Sequence, residues 1–453
     1  MSLIIGLLAI ILVGYFIIKG HNAKSLLLSI GILLLVIAAA IAPPAKNSSG
    51  LFFVDISNYI YALFEKRGGG LGMIVMVLIG FSVYMSHIGA NDVIVRILYK
   101  PLRHIKSPYI LLIGGFWVAS FISFAIPSAT ALGVFLMATL FPILTRLGIS
   151  APSAAAICAS TAVVNLSPTS VDVILAAEQA GDTLQHFAFQ IILPMSLLTM
   201  FVIGITHFFW QRYCDRQEGL QQENTLQHID PSNILNNNAP LYYAVLPFLP
   251  IVGLFIFDDQ RLPKISLGGL LILTLILSVV IELIRKRNVK EVFAGLEQCY
   301  NGMAEAFSSV VMLIIAAGAF AEGLSRIGFT EGLINVVQNL GTAATIMMFA
   351  LVIITLLVAI ASGSGNAAFF AFVELAPRLA TQLGINPAYL IAPMMQVSNT
   401  GRAMSPVSGV VVAVSGSAKL SPMLIVKRTS VPLLAGVGII VIYTMLLIPL
   451  HLG

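Results

Sequence analysis

Charge is what this 453-residue chain has least of: 9% of its residues are Asp, Glu, Lys or Arg, against 58% hydrophobic. A soluble protein of this length needs a far denser charged shell, so a water-soluble globule is excluded. Cysteine is as scarce. Cys158, Cys214 and Cys299 lie far apart and form no CxxC, which argues against a disulfide framework and a thiolate metal site. The seven histidines fall mostly at the ends of apolar runs or in loops, without metal-ligand spacing. No Gly-rich phosphate loop and no Ser-His-Asp arrangement is evident, so neither enzyme chemistry nor a cofactor is expected. The net charge of +5 comes without a basic stretch interleaved with aromatics, so no nucleic-acid partner is expected. The N-terminus has no basic leader; Met1 to Lys19 is apolar from the start and reads as a retained first span.

What the chain does have is apolar runs of membrane-spanning length. They are long and continuous, which favours helices over the short alternating strands of a barrel. Full spans are expected at about 1–19, 24–44, 70–90, 151–178 and 185–213, then at about 241–258, 266–285, 303–325, 387–416 and 430–450. A polar stretch, 214–240, is the one plausible linker, dividing a first unit (1–213) from a second (241–453). Phe52 to Glu65 and Val289 to Tyr300 are amphipathic and are expected to lie along the membrane surface.

One segment occurs twice, from Phe121 to Val173 and from Val358 to Val411. Each copy breaks at a small polar cluster (Pro127-Ser128-Ala129-Thr130; Ser364-Gly365-Asn366), reaches a Leu-Gly-Ile turn at Leu147 or Leu383, and breaks again at Ser167-Pro168 or Ser405-Pro406. The stretches 107–147 and 341–383 are too long for one crossing, and are read as helical hairpins turning back at Ser128 and Ser364; the spans 151–178 and 387–416 are read as broken. With the same element order in both units and an odd number of crossings in each, the second unit is inverted relative to the first. Interrupted apolar segments at matching places in two halves point to a transporter's binding site. Lys and Arg crowd one side of the spans, for example Arg96, Arg146, Arg212 and Arg285 to Lys290; that side is expected to be cytoplasmic, with both termini on the far side.

Each break frees backbone N–H and C=O groups where there is no bulk water, and each unpaired group costs several kcal/mol. Half-helix N-termini offer N–H donors and partial positive charge to an anion. Ser128, Thr130, Asn165, Ser167, Thr169, Ser364, Asn366, Ser398, Asn399, Thr400, Ser405 and Ser408 add neutral donors, and Ala129, Pro168 and Gly365 shape the same turns. Two related clusters suit a ligand with a negative group at each end. Arg402 sits inside a broken span, where insertion costs roughly 2.5–3.5 kcal/mol. It has to meet an anion, either substrate or a carboxylate such as Asp172 or Glu374. Those two acids are also the candidates for carrying a coupling proton.

The stretches SGSGNAAFFAFVELAP and SNTGRAMSPVSGVVVAVSG resemble the anaerobic C4-dicarboxylate uptake family of the DcuC type, over essentially the full length. More widely the chain resembles the ion-transporter superfamily, although its hairpin tips depart from the Ser-Asn-Thr of the divalent-anion/sodium symporters. The resemblance implies an all-α polytopic fold of two inverted repeats, each with a re-entrant hairpin and a broken helix. It implies transport of succinate, fumarate and related acids across a bacterial inner membrane, by efflux or exchange. It also implies a homodimer in which a transport domain, about 107–178 plus 341–416, moves like an elevator against the remaining spans. The residues alone leave open another organic anion, such as a monocarboxylate or amino acid, and an anion channel.

Overall fold

A computed structural model describes residues 2–41, 49–99, 107–124, 126, 128–146, 148–219, 239–257, 262–337 and 343–451. Most of the expected linker lies outside these residues, as do Pro127 and Leu147. The described residues form helices and no strand. In chain order the helices are α1 (Ser2–Ile18), α2 (Ala23–Ile41), α3 (Phe52–His87), α4 (Ala90–Tyr99), α5 (Pro108–Ile122), α6 (Ala129–Arg146), α7 (Ala151–Ala159), α8 (Val171–Ala180) and α9 (Leu184–Gln217). They continue as α10 (Leu241–Ile256), α11 (Leu267–Lys286), α12 (Val289–Arg326), α13 (Phe329–Val337), α14 (Ala343–Ser362), α15 (Gly365–Val373), α16 (Ala376–Leu383), α17 (Ala388–Ala403), α18 (Gly409–Ala418) and α19 (Pro422–Leu447). Seven of these (α2, α3, α9, α11, α12, α14 and α19) are long and apolar enough to cross a bilayer.

The expected surface helices are not separate elements. Phe52–Arg67 runs through a π-helical turn at Gly68–Gly72 straight into Met73–His87, and Val289–Ala306 does the same through Phe307–Val311. The glycine run after Arg67 reads as a stop, but Gly68 takes ordinary right-handed helical angles and its N–H bonds back to Phe64 and Glu65. A π-turn accommodates an extra residue and so changes which face follows, joining an amphipathic half to an apolar half without a break. At 1.5 Å per residue α3 and α12 are about 54 and 57 Å long, well beyond the ~30 Å apolar layer. The start of α10, Leu241–Phe248, is wound as a 3₁₀ helix that contains Pro247.

The four interruptions fall where the small polar residues cluster. Between α5 and α6, Ser128 caps the second arm, its Oγ accepting from the Ala131 N–H at 3.3 Å. Between α14 and α15, Gly363 turns the chain with φ +68°, a region that side chains other than glycine rarely adopt, and Ser364 Oγ accepts from the Ala367 N–H at 3.2 Å. Helix α7 stops at Ala159 and α8 begins only at Val171; α17 stops at Ala403 and α18 begins at Gly409. Pro168 and Pro406 lie in these gaps, where a missing N–H and a restricted preceding residue oppose helix continuation.

Two groups of helices emerge from the packing. Helices α2, α3, α11 and α12 form the first, with α12 packed along both α2 and α3 and α11 against α3. Small residues bring their backbones together. A Cβ placed on Gly31 of α2 would lie 2.7 Å from the Phe320 nitrogen of α12, and one on Gly80 of α3 would lie 2.8 Å from the Cys299 carbonyl oxygen. In the second group α9 and α19 pack on each other and on the interrupted elements, α9 on α5 and α19 on α7 and α17. An ionic cluster centred on the buried Arg428 and Asp215 fixes that junction. Arg428 of α19 donates to Asp215 at 2.6 Å, to Ser153 Oγ at 2.9 Å and to Glu218 at 2.5 Å, while Ser150 at the start of α7 donates to Asp215 at 2.7 Å. Breaking such a buried pair from one side costs about 3–5 kcal/mol.

Gly31→Ala is expected to force α2 off α12 at a cost of about 1–3 kcal/mol, lowering the thermal midpoint of the detergent-solubilised protein by several degrees. Gly14→Ala, where a Cβ meets nothing within 4 Å, leaves the midpoint unchanged in the same assay.

Candidate functional site

The four interruptions meet. A Cβ on Gly363 would lie 2.8 Å from the backbone nitrogen of Ser408, so the second hairpin tip rests on the loop between α17 and α18. A Cβ on Gly365 would lie 2.8 Å from Asn399 Oδ1 and 3.0 Å from the Ser398 carbonyl oxygen, which puts the same tip against the end of α17. A Cβ on Gly409 would lie 2.9 Å from Thr130 Oγ1, which joins the first tip to the start of α18. Any larger residue at Gly363 or Gly365 would push these strands of backbone apart.

The loop between α7 and α8 is tied to α17 by side chains. Arg402 Nη2 donates to the Ala162 carbonyl at 2.8 Å, Thr400 Oγ1 to the Val163 carbonyl at 3.3 Å, and the Asn165 N–H donates to Gln396 Oε1 at 3.0 Å. Gln396 Nε2 also donates to Ser196 Oγ of α9 at 2.6 Å, and that hydroxyl donates to the Asn165 carbonyl at 2.6 Å. Both backbone polar groups of Asn165 are therefore held by one amide and one hydroxyl. Ala162 sits in the left-handed region at φ +56°, an uncommon and mildly strained state for a residue with a Cβ; its carbonyl is the one Arg402 holds.

Asp172 is buried in the first turn of α8, where the helix dipole favours a negative charge. Its Oδ2 accepts from Asn399 Nδ2 at 2.7 Å and from Asn165 Nδ2 at 3.5 Å. Asn165 Oδ1 in turn accepts from Ser170 Oγ at 3.2 Å. Asn165, Asp172 and Asn399 thus form one polar strip shared by both interrupted helices.

Many of the expected hydroxyls have local work. Ser128 and Ser364 cap α6 and α15. Ser167 Oγ accepts from the Thr169 N–H at 3.2 Å and shares a hydrogen bond with Thr169 Oγ1 at 2.7 Å, closing the turn around Pro168. Ser398 Oγ donates back to the Met395 carbonyl at 2.8 Å, and Ser405 Oγ accepts from the Val407 N–H at 3.4 Å. Ala129 is buried and Asn366 half-buried at the two tips. Two polar atoms of the cluster, Arg402 Nε and Ser408 Oγ, are buried without a protein partner. Unmet donors of this kind, beside the starts of α6, α8, α15 and α18, are the chemistry that holds a carboxylate.

Two expectations resolve differently. Among the described residues Arg402 makes no ion pair with Asp172 or Glu374; its hydrogen bond goes to a backbone carbonyl. Glu374 stands away from Arg402 and is paired with Arg67 at 2.6 Å. Sequence reasoning also missed Gln396, Ser196 and Ala162. An amide inside the apolar run before Ser398 was a legible signal for Gln396; a lone serine and a lone alanine gave none. Gln396→Leu strands the Asn165 N–H, at about 1–3 kcal/mol; a lower unfolding midpoint with an unchanged elution volume is the expected result.

The C4-dicarboxylate anaerobic carrier family, DcuC, matches residues 1–449. The anaerobic C4-dicarboxylate transporter DcuC of Escherichia coli (strain K12) is 49% identical over 452 residues, covering 99% of this chain and 97% of that protein. A protein of Vibrio cholerae named as a probable anaerobic C4-dicarboxylate transporter DcuC is 48% identical, covering 100% of this chain and 99% of its own length. Two solved transporters share the fold at low identity. MtrF of Neisseria gonorrhoeae has a TM-score of 0.64 at 14% identity, covering 96% of this chain and 97% of that one. YdaH of Alcanivorax borkumensis has a TM-score of 0.64 at 15% identity, covering 95% and 100%.

Proposed function

The chain belongs to the DcuC family of anaerobic C4-dicarboxylate carriers, a family of membrane transporters and not of enzymes, and on that footing we propose how it handles its substrate. Succinate, fumarate and malate are held where the four interruptions meet, and they cross the bacterial inner membrane by efflux or exchange. The observation that carries this reading is the pair of buried, unpartnered donors, Arg402 Nε and Ser408 Oγ, where the interruptions meet. One carboxylate takes the guanidinium of Arg402, whose planar fork matches it. The other takes the hydroxyls and N–H groups of the hairpin tips and helix starts: Ser128, Thr130, Ser364, Asn366, Ser405 and Ser408. Asp172 is the group we assign to a coupling proton, because it is the buried carboxyl group of the cluster, where Asn399 and Asn165 tie it to both interrupted segments.

We read the two units, 1–213 and 241–453, as inverted repeats with the intervening linker and the crowded basic residues on the cytoplasmic face, and both termini periplasmic. The moving body of an elevator cycle then takes in the hairpins and interrupted helices. Helices α9 and α19, expected from the sequence among the static spans, are here assigned to it as well, because they pack on those elements and share the buried Arg428 cluster with α7. The frame is α2, α3, α11 and α12, and a homodimer forms through frame helices. Binding of a dianion offsets the positive helix ends and lets the body slide through apolar surroundings.

Purified protein in liposomes loaded with unlabelled succinate is expected to accelerate labelled succinate uptake, with fumarate and malate competing. Competition by monocarboxylates or amino acids but not by dicarboxylates would reassign the substrate, and no acceleration by internal substrate would point to a channel. Imposing pH and sodium gradients separately identifies the coupling ion. Arg402→Lys keeps a charge and a donor for the Ala162 carbonyl but loses the fork, so the succinate KM rises about tenfold or more. Arg402→Ala abolishes uptake while the protein still reaches the membrane; near-normal uptake would remove Arg402 from the site.

A further inference from the structure

Six charged side chains outside the binding cluster face one another across the boundary between the proposed frame and moving body. From the frame come Arg67 of α3, and Glu322 and Arg326 of α12. From the other side come Glu178 of α8, Glu374 at the end of α15, and Arg378 of α16. Arg67 donates to Glu178 at 2.7 Å through Nη1 and to Glu374 at 2.6 Å through Nη2, so one guanidinium grips two helices at once. Glu322 accepts from Arg326 of its own helix at 2.8 Å and from Arg378 at 2.5 Å. Tyr59 of α3 has all of Glu322, Arg326, Glu374 and Arg378 within electrostatic reach, and Arg326 lies over its ring at 5.5 Å. The two clusters are therefore one patch.

The patch is distinctive in where its bonds run. Among the described residues every other ion pair stays inside one group. Glu282, Arg285, Lys286 and Glu291 pair within the frame; Asp182 with His186, and Asp215 and Glu218 with Lys427 and Arg428, pair within the other group. Among the pairs of described residues, those that cross are Arg67–Glu178, Arg67–Glu374 and Glu322–Arg378. The sub-clusters are also complementary: one arginine with two acids leaves one negative charge in excess, and one acid with two arginines leaves one positive.

We infer that these residues form an electrostatic latch, built from Arg67, Glu178, Glu322, Glu374 and Arg378, that holds the transport body in the orientation described here and has to open for each crossing. The inference rests on the moving-body reading above. Its physical basis is the short reach of a charge-assisted hydrogen bond: a slide of a few ångströms breaks all three contacts together. Arg67 and Glu374 are largely buried, with side chains 13% and 11% exposed, so their separation needs water or new partners to follow. Glu178 and Arg378, at 45% and 40%, reach solvent and provide the point of entry. The residues are positioning residues for the cycle and touch no substrate.

The three native cysteines are buried, so spin labels can be attached selectively at Glu65→Cys and Thr381→Cys, both exposed and each on its own side of the latch. In liposomes the otherwise unmodified protein is expected to show two label separations, the shorter dominant. Glu374→Gln with Arg378→Gln shifts the ratio toward the longer by roughly fivefold or more, changes the exchange rate and leaves the succinate KM unchanged. Arg378→Gln alone, at a half-exposed position, does the same to a smaller degree and guards against a folding defect. Salt at about 1 M, where screening acts over roughly 3 Å, moves the unmodified protein in the same direction. Two separations whose ratio ignores the substitutions and the salt would overturn the latch and leave the moving body standing. A single separation with and without succinate would remove the moving body and the latch with it.

Discussion

Everything in this fold answers to one constraint: backbone that leaves the helix inside an apolar protein has to find hydrogen-bond partners from elsewhere. The loop from Ser160 to Ser170 is the longest of the four interruptions, and helix α17 supplies the partners. Gln396, Thr400 and Arg402 are spaced so that each reaches a different residue of the loop, Asn165, Val163 and Ala162 respectively. The same turns of α17 carry Asn399, which bonds Asp172. One interrupted helix is thus the scaffold of the other, and the residues that hold the loop also border the place where substrate is proposed to sit.

This arrangement changes the meaning of a buried arginine. An isolated guanidinium at this depth would be costly. A backbone carbonyl at a strained alanine gives it one partner, and its unmet Nε keeps it receptive to a second. Arg428 shows the other solution: its Nη atoms reach two carboxylates and a serine, only Nε is left without a partner, and it serves as a rivet between α7, α9 and α19. The contrast between a partly satisfied arginine and a nearly satisfied one separates a group available to a ligand from a group that holds helices together.

The interruptions were legible in the sequence because clusters of Ser, Thr, Asn, Gly and Pro recur at matching places in the two units. The helices around them were legible from length and hydropathy. Less legible were features that depend on neighbours far along the chain. Gly68 to Gly70 look like a terminator, yet nothing in their local sequence says that they will take right-handed helical angles and carry α3 onward. Arg428 reads as one more basic residue marking the cytoplasmic side; only the approach of α9 makes it a fully buried pair with Asp215. Glu374 reads as an acid near the binding cluster, and its partner Arg67 is 307 residues earlier. Charge and composition identify such residues as unusual, but pairing is a property of the tertiary fold.

The π-turns that fuse an amphipathic half to an apolar half leave two rods, α3 and α12, that outreach the hydrocarbon slab. The apolar half of each, taken with its π-turn, runs about 20 residues or ~30 Å, which matches the slab, so the surplus is the charged, amphipathic half. A bilayer of altered thickness therefore meets a segment that tolerates water on one face and lipid on the other, and each rod adjusts its depth without exposing an apolar surface.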